Sequence, residues 1–281
     1  MIHNRIKKNF DGLTPAQKKA AHYIRNNIVE SSSLTAKEIG ERCGCSEPTI
    51  HRLAKVLGYA NYLEMSKSIK EVAFEKRVMR RFNNLVTSND SRQESWLNEH
   101  FAGEVDNLNE TMMLLNKAKI AEAVNMILNS KRIYFAGWRA GLGVTSYMSY
   151  VLNYLLGNSK LIPQGEAAEY SNYFTEHDLL IVAGFPRYCK TTLKVCEKVK
   201  EKNSKILCLT DSEISPFYVI ADLAFIAKTK TKGMIDSYVA PLSIAHLIIN
   251  EVAYQKPEFV RTNINSMEQS LKSFDLEYNW K

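Results

Sequence analysis

From Arg132 onward, short β-prone runs alternate with longer amphipathic stretches, and this alternation constrains the fold more than any other feature of the chain. Residues 133–136, 160–162, 179–183, 206–209 and 223–227 read as strands. The stretches between them are too long for hairpins and long enough for crossover helices, so the strands must run parallel in a doubly wound sheet. The run LLIVAGF has no polar interruption, which suits a central strand covered on both faces. In such sheets ligands bind beyond the carboxyl ends of the strands, so loops 137–143, 184–192 and 210–216 are the places to look for chemistry.

The first loop, GWRAGLG, fails as a dinucleotide fingerprint because Ser146 stands where the third glycine belongs. No cofactor is therefore implied. What remains is Arg139 and Ala140 between a strand and a helix start, where backbone amides favour an anion. The second loop, GFPRYCKTT, repeats the theme with Arg187, Tyr188, Lys190, Thr191 and Thr192, and the third adds the hydroxyls of Thr210 and Ser212. Two cationic loops side by side point to a phosphorylated or carboxylated small molecule held by arginine forks. The competing reading is a structural network in which Arg139 and Arg187 pair with Glu166, Glu169 or Asp211.

Charge separates the rest of the chain. Residues 1–82 carry 16 Lys or Arg against 8 Asp or Glu, and residues 83–281 carry 21 against 22, so the formal +7 lies entirely in the first part. A basic small domain ahead of a nearly neutral one suits nucleic-acid binding. Thr14 to Gln17, Thr35 to Glu38 and Asn61 to Glu64 each place a capping side chain three residues before Gln or Glu, marking three helix starts. After the second start the apolar positions end at Gly44, a turn follows, and Ser46 can cap a helix reaching Leu57. Ile50, Leu53, Ala54 and Leu57 form its apolar stripe, while Pro48, His51, Arg52 and Lys55 occupy the opposite face with Thr49 at the margin. This is the pattern of a helix-turn-helix. Ser46, Pro48, Thr49, His51, Arg52 and Lys55 are its candidate DNA-binding residues, with Thr49, His51 and Arg52 reaching base edges and Lys55, Lys18 and Lys19 meeting phosphates.

Residues 83–95 are poor in apolar side chains and rich in Asn and Ser, which marks a linker. From 96 to 129 the apolar positions return at helical intervals, predicting one or two helices whose apolar side packs onto the second domain. The expected division is a helix-turn-helix domain over 1–82, a linker and connecting helix over 83–110, and a ligand-sensing domain over 111–281.

LTPAQKKAAHYI and LTAKEIGERCGCSEPTIHRLAKVLGYANYLEM resemble the helix-turn-helix of the RpiR family of bacterial transcriptional regulators. RIYFAGWRAGLGVTSYMSYVL, the segment from HDLLIVAGFPRYCKTT to LAFIA, and SIAHLIINEVA resemble the SIS, or sugar isomerase, domain that these regulators carry. The resemblance implies an all-α N-terminal domain followed by an α/β domain with a five-stranded parallel sheet flanked by helices. It also implies that the second domain binds phosphosugars and pairs with its copy, and that the ligand adjusts DNA affinity. Where many SIS domains hold serine or threonine for the phosphate, this chain has Ala140, Gly184 and Cys189.

The expected partners are operator DNA with an inverted repeat, a phosphorylated sugar or other anionic effector, and further copies of the chain in a homodimer or homotetramer. A sugar-phosphate isomerase is the main alternative. It needs a positioned base, for which Glu166, Glu169, His177 and His246 are available without a recognisable catalytic constellation, and it leaves the basic module unexplained. Single-strand RNA binding or nonspecific DNA coating lacks the interleaved aromatics of a stacking platform. Scattered cysteines and histidines give no metal-ligand spacing and suggest free thiols, and no apolar run reaches the ~18 residues of a membrane span, so a cytoplasmic protein with no membrane partner is expected.

Overall fold

The computed structural model describes residues 2–87, 96–231 and 233–274. The helices of the first compact unit are α1 (Ile2–Asn9), α2 (Pro15–Asn26), α3 (Ile28–Ser31), α4 (Ala36–Cys43), α5 (Glu47–Val56) and α6 (Tyr62–Thr87). Two of the three capping boxes form as the sequence predicts: Thr14 with Gln17, and Thr35 with Glu38. At the third, Asn61 accepts the Glu64 amide at 3.0 Å, but the Glu64 carboxylate reaches back to the amide of Ala60 at 2.7 Å, one residue earlier than in a capping box. The linker expected over 83–95 begins inside α6, and residues 88–95 lie outside the described residues.

Helix α1 carries no capping signature and was not legible as a helix. Its formation follows from Ile2 and Ile6, one turn apart and both buried in the core with Ile24, Ile39, Ile50, Leu53 and Ile69. Burying each such side chain is worth about 1.5–3 kcal/mol. The same helix places Arg5 against the far end of α5. Its guanidinium donates to the carbonyls of Leu57 (3.2 Å) and Gly58 and lies 4.2 Å from the centre of the Tyr59 ring. One positive charge of the basic domain is thus spent on holding the exit of α5.

The second unit is built on β1 (Arg132–Ala136), β2 (Ser159–Leu161), β3 (Asp178–Gly184), β4 (Lys205–Thr210) and β5 (Leu223–Ile226). They form one sheet in the order β2-β1-β3-β4-β5, every pair parallel, with Ala136 beside Val182 and Gly184 beside Thr210. Chain order reverses between β1 and β3, as in other doubly wound sheets. All seven residues of β3 are buried, as its apolar run requires.

Alternation along the strands sorts the core into two layers. Ile133, Phe135, Leu179, Ile181, Leu207 and Phe225 face α8 (Lys117–Leu128), α9 (Leu142–Leu156), α13 (Val239–Gln255) and α14 (Pro257–Ser273). Tyr134, Ala136, Leu180, Val182, Ile206 and Cys208 face α10 (Ala167–Asn172), α11 (Lys190–Glu201) and α12 (Pro216–Ile220).

Residues 96–129 give two helices, α7 (Trp96–Met112) and α8, the latter capped by Asn116. The buried face of α7 is not the one its apolar residues predict. Leu97, Phe101, Val105 and Met112 are exposed, whereas Asn107 and Thr111 are buried. The cause is the chain beyond β5, whose backbone has no ladder partner there. The Asn107 amide donates to the Lys230 carbonyl (2.7 Å) and accepts from its N–H (3.0 Å), and Thr111 accepts from the Lys228 amide (2.9 Å). Satisfying those groups wins over burying the apolar stripe.

Candidate nucleic-acid interface and anion site

In the first unit, α4 ends at Gly44 with left-handed backbone (φ 65°), and the chain turns into α5 through Cys45 and Ser46. Gly40 permits the turn: a β-carbon there would stand 2.7 Å from the Cys45 carbonyl. The stripe predicted to be apolar is sealed, with Ile50, Leu53, Ala54 and Leu57 all buried. Ser46, Pro48, His51, Arg52 and Lys55 are all exposed on the other side.

Thr49 departs from the expectation that it reaches base edges. It is 8% exposed, and its hydroxyl shares a 2.9 Å hydrogen bond with that of Ser46. Ser46 holds the cap position of α5 but makes no side-chain bond to the helix amides, because its hydroxyl is turned to Thr49. His51 is steered from two sides, by the Glu47 carboxylate at 3.5 Å and by the edge of the Tyr62 ring. The surface that remains open for a duplex is therefore Pro48, Arg52 and Lys55, with His51 held at its side. Lys19 is also exposed, whereas Lys18 is half-buried and stands over the Phe10 ring.

In the second unit, the loops after β1 and β3 flank the reversal of strand order. Arg139 and Arg187 lie in them with φ of 63° and 68°, a left-handed backbone uncommon for any residue but glycine. Each precedes a helix start: Arg139 opens a short 3-10 turn leading into α9, and Arg187 lies three residues before α11. Neither helix has a side-chain cap bond at its first residue; the Leu142 amide of α9 already bonds the Arg139 carbonyl, whereas the first turn of α11 leaves backbone amides for other acceptors. Arg139 and Ala140 are exposed, and Arg139 forms no ion pair among the described residues.

Gly137 and Gly141 of the first loop serve packing. A β-carbon on Gly141 would stand 2.2 Å from the Ala183 carbonyl, so the loop can close over the end of β3 only with glycine there. Thr145 ties the turn by donating to the Gly141 carbonyl at 3.2 Å, and the Trp138 indole donates to the Ile162 carbonyl at 3.2 Å.

The remaining candidate ligand residues divide. Lys190 is exposed and Thr191 half-buried at the start of α11. Thr210 is fully buried and committed elsewhere, donating to the Gly184 carbonyl at 2.6 Å and sharing a 2.7 Å bond with the Ser215 hydroxyl. The Tyr188 hydroxyl donates to Asp211 at 2.8 Å, and burial, reinforced by that carboxylate, pushes its pKa well above the usual phenol range. Ser212 donates to the other Asp211 oxygen at 3.3 Å. Asp211 is thus engaged by Tyr188 and Ser212. These three residues join the second and third loops, which positions Arg187 and Lys190. Thr192 is 1% exposed, and its hydroxyl meets no hydrogen-bond partner.

The absence of a hydroxyl at position 184 has a steric reason that the sequence did not reveal. A β-carbon on Gly184 would fall 2.1 Å from the ring of Phe217, which is fully buried against it. Phe217 in turn meets Tyr188 edge-on at 6.0 Å. Phe217 and Ser215 were missed because they lie on α12 and at its cap, where they read as ordinary core and turn residues.

His177, one candidate isomerase base, immediately precedes β3, at the opposite end of the strand from Arg187. Seven residues of strand separate the two ends by roughly 20 Å, too far for one substrate to touch both. His246 is exposed on α13, where its ring meets Asn250. Glu166 and Glu169 are exposed on the segment after β2.

Comparison with known proteins finds a match in each unit. Residues 1–75 match the helix-turn-helix domain of the rpiR family, and residues 126–251 match the SIS domain. An uncharacterized HTH-type transcriptional regulator of Clostridium perfringens is 23% identical over 249 residues, covering 85% of this chain and 87% of its own. The sugar isomerase domain of an RpiR transcription factor from Sphaerobacter thermophilus superposes with a TM-score of 0.60 at 23% identity, over 63% of this chain and 99% of that one. The Vibrio vulnificus NanR protein complexed with ManNAc-6P aligns over 99% of this chain and 100% of its own, with a TM-score of 0.66 at 17% identity. Among the described residues no helix is long and apolar enough to cross a membrane.

Proposed function

The chain belongs to the RpiR family of helix-turn-helix transcriptional regulators with a SIS domain, and from that premise we propose that it binds operator DNA through α5 and that a sugar phosphate, bound at the carboxyl end of its sheet, adjusts that binding. The observation that carries the first half is the polarity of α5: four buried apolar residues on one side, and exposed Arg52 and Lys55 on the other. The second half rests on Arg139 and Arg187, both held in left-handed backbone where the chain turns toward a helix start. Strain of this kind persists where the surrounding structure has a use for it. That the NanR protein of similar fold is complexed with ManNAc-6P supports a phosphorylated sugar as the anion.

The chain acts as a pair, and its operator is an inverted repeat with half-sites about 34 Å apart or a multiple of that. The exposed Leu97, Phe101 and Val105, at i, i+4 and i+8 on α7, support self-association, since contiguous exposed apolar residues of this kind mark interaction surfaces. Effector binding favours one arrangement of the pair, with a coupling of about 1–3 kcal/mol between sites. The protein works in the cytoplasm and does not turn its ligand over.

Calorimetric titration with N-acetylmannosamine 6-phosphate, hexose 6-phosphates and the unphosphorylated sugars tests the reading. At least one phosphorylated compound should bind, its free sugar should not, and Arg187→Ala should remove the binding. Equal binding of a free sugar, or steady isomerisation of any sugar phosphate, would overturn it.

A further inference from the structure

Cys189 stands where many SIS domains hold a hydroxyl, at the cap position of the 12-residue helix α11. Of the five cysteines, Cys196 and Cys208 are sealed in the core, while Cys43, Cys45 and Cys189 are partly exposed. Only Cys189 faces the open amides of a helix start, the environment that stabilises a thiolate. A second observation points to an anion there. Thr192, three residues on and 1% exposed, has a hydroxyl with no hydrogen-bond partner in the folded chain. An orphaned buried hydroxyl costs about 1–3 kcal/mol, and Thr192 sits at the third helical position after the Cys189 cap, the position whose groups face the capping side chain. A protonated thiol is a poor acceptor and an ionised one a good acceptor, so the thiolate gives this hydroxyl its missing bond.

We propose that Cys189 is a reactive thiol of this chain, a nucleophile at the rim of the anion site that soft electrophiles alkylate and hydroperoxides oxidise to the sulfenic acid. In the oxidation the thiolate sulfur attacks the terminal peroxide oxygen, the S–O bond forms as the O–O bond breaks, and the departing hydroxide (alkoxide, from an alkyl hydroperoxide) takes a proton to become water (or the alcohol). Sulfur loses two electrons and the peroxide gains them. Cys196 and Cys208 are buried, so no described cysteine of this unit is open to resolve the product as a disulfide. The pKa of Cys189 agrees with this assignment: burial alone would push it up, but the Thr192 hydroxyl, the Thr192 and Thr191 amides and the Thr191 hydroxyl outweigh burial and hold it below the ordinary thiol range. Burial instead pushes the Cys43 thiol up to about 11, aided by Cys45. A further consequence, which rests on the sugar-phosphate reading, is that an anion bound at the start of α11 shields the thiol and that modification of the thiol excludes the anion.

The test uses the full chain, reduced, with limiting iodoacetamide and peptide mass spectrometry over time. Cys189 should be carbamidomethylated roughly tenfold faster than Cys43 or Cys45. Its rate should be half-maximal below the free-thiol value of about 8.5, and Thr192→Val should move that midpoint upward. Hydrogen peroxide followed by dimedone should tag Cys189. Labelling of Cys43 or Cys45 as fast as Cys189, or a wild-type midpoint at or above the free-thiol value, overturns the proposal whether or not the Thr192 variant folds. Inorganic phosphate should slow labelling at Cys189 and leave Cys43 unchanged; a fast Cys189 that phosphate does not protect contradicts the anion reading and leaves the thiol assignment standing.

Discussion

Arg139 and Arg187 share a backbone conformation, φ 63° and 68°, in the two loops that flank the reversal of strand order. An L-residue in that region costs about 1–2 kcal/mol, and glycine would avoid the cost. The first loop already has glycines at 137, 141 and 143, yet its left-handed position holds arginine. Strain accepted at two matching positions, each with a guanidinium, supports the proposed anion site over an ordinary turn.

Arg139→Gly should separate stability from binding. The thermal midpoint should be no lower than wild type, since the left-handed strain is relieved, while phosphate binding should weaken by roughly tenfold or more through loss of charge-assisted hydrogen bonds. Calorimetry beside thermal unfolding measures both. A variant that binds phosphate as wild type does removes Arg139 from the site.

Restoring a side chain at position 184 should be destabilising. Gly184→Ala forces a β-carbon into the Phe217 ring, an overpacking cost of about 1–3 kcal/mol in urea unfolding. In a Phe217→Ala background, itself costing about 3–5 kcal/mol, the further loss from Gly184→Ala should nearly vanish. Additive losses would show that the two positions do not compete for the same space.

Asp178 shapes the acid limb of stability. Burial raises its carboxyl pKa, but hydrogen bonds from Arg132 (2.6 and 2.8 Å) and from Thr175 outweigh burial and hold it below the ordinary range. A depressed folded pKa gives stability that is fully present above the unfolded value of about 4 and is lost as pH falls through the folded one. Asp178→Asn should therefore be less stable at neutral pH, with a shallower acid limb that converges on wild type at low pH. Parallel curves would contradict this.

Arg5→Ala should loosen the exit of α5. Losing the bonds to Leu57 and Gly58 and the stacking on Tyr59 should cost about 1–3 kcal/mol, and Arg5→Lys should recover only part of it, because an ammonium can donate to two carbonyls as the single Nη1 does but lacks the planar guanidinium that stacks on the Tyr59 ring. Amide exchange at Leu57 and Gly58 should quicken in both variants. Unaltered exchange would show that α1 does not hold this end.

The sheet was legible in the sequence because short β-prone runs separated by long intervals leave a parallel topology few alternatives. Capping residues announced α2 and α4 for the same kind of reason, a local chemical requirement that can be read without knowing the neighbours. What the sequence hid depends on partners distant in the chain. Thr49 turns inward because Ser46 is there to share its hydroxyl. Asn107 is buried because an unpaired backbone passes at Lys230, and Gly184 is bare because Phe217 occupies its space. At the proposed anion site the arginines were legible as charge, but their left-handed backbone was not. Thr210 and Tyr188 were legible as hydroxyls, but their hydrogen bonds to Gly184, Ser215 and Asp211 were not.

The central claim is that α5 reads DNA sequence, and in vitro selection with the full chain from a random duplex library at fixed salt tests it most directly. Wild type should enrich an inverted repeat, and Arg52→Ala should bind the selected duplex more weakly by about 1–3 kcal/mol and relax preference at one position of each half-site. A library that emerges without an enriched motif, or an Arg52→Ala protein that selects the same motif with the same affinity, would contradict it.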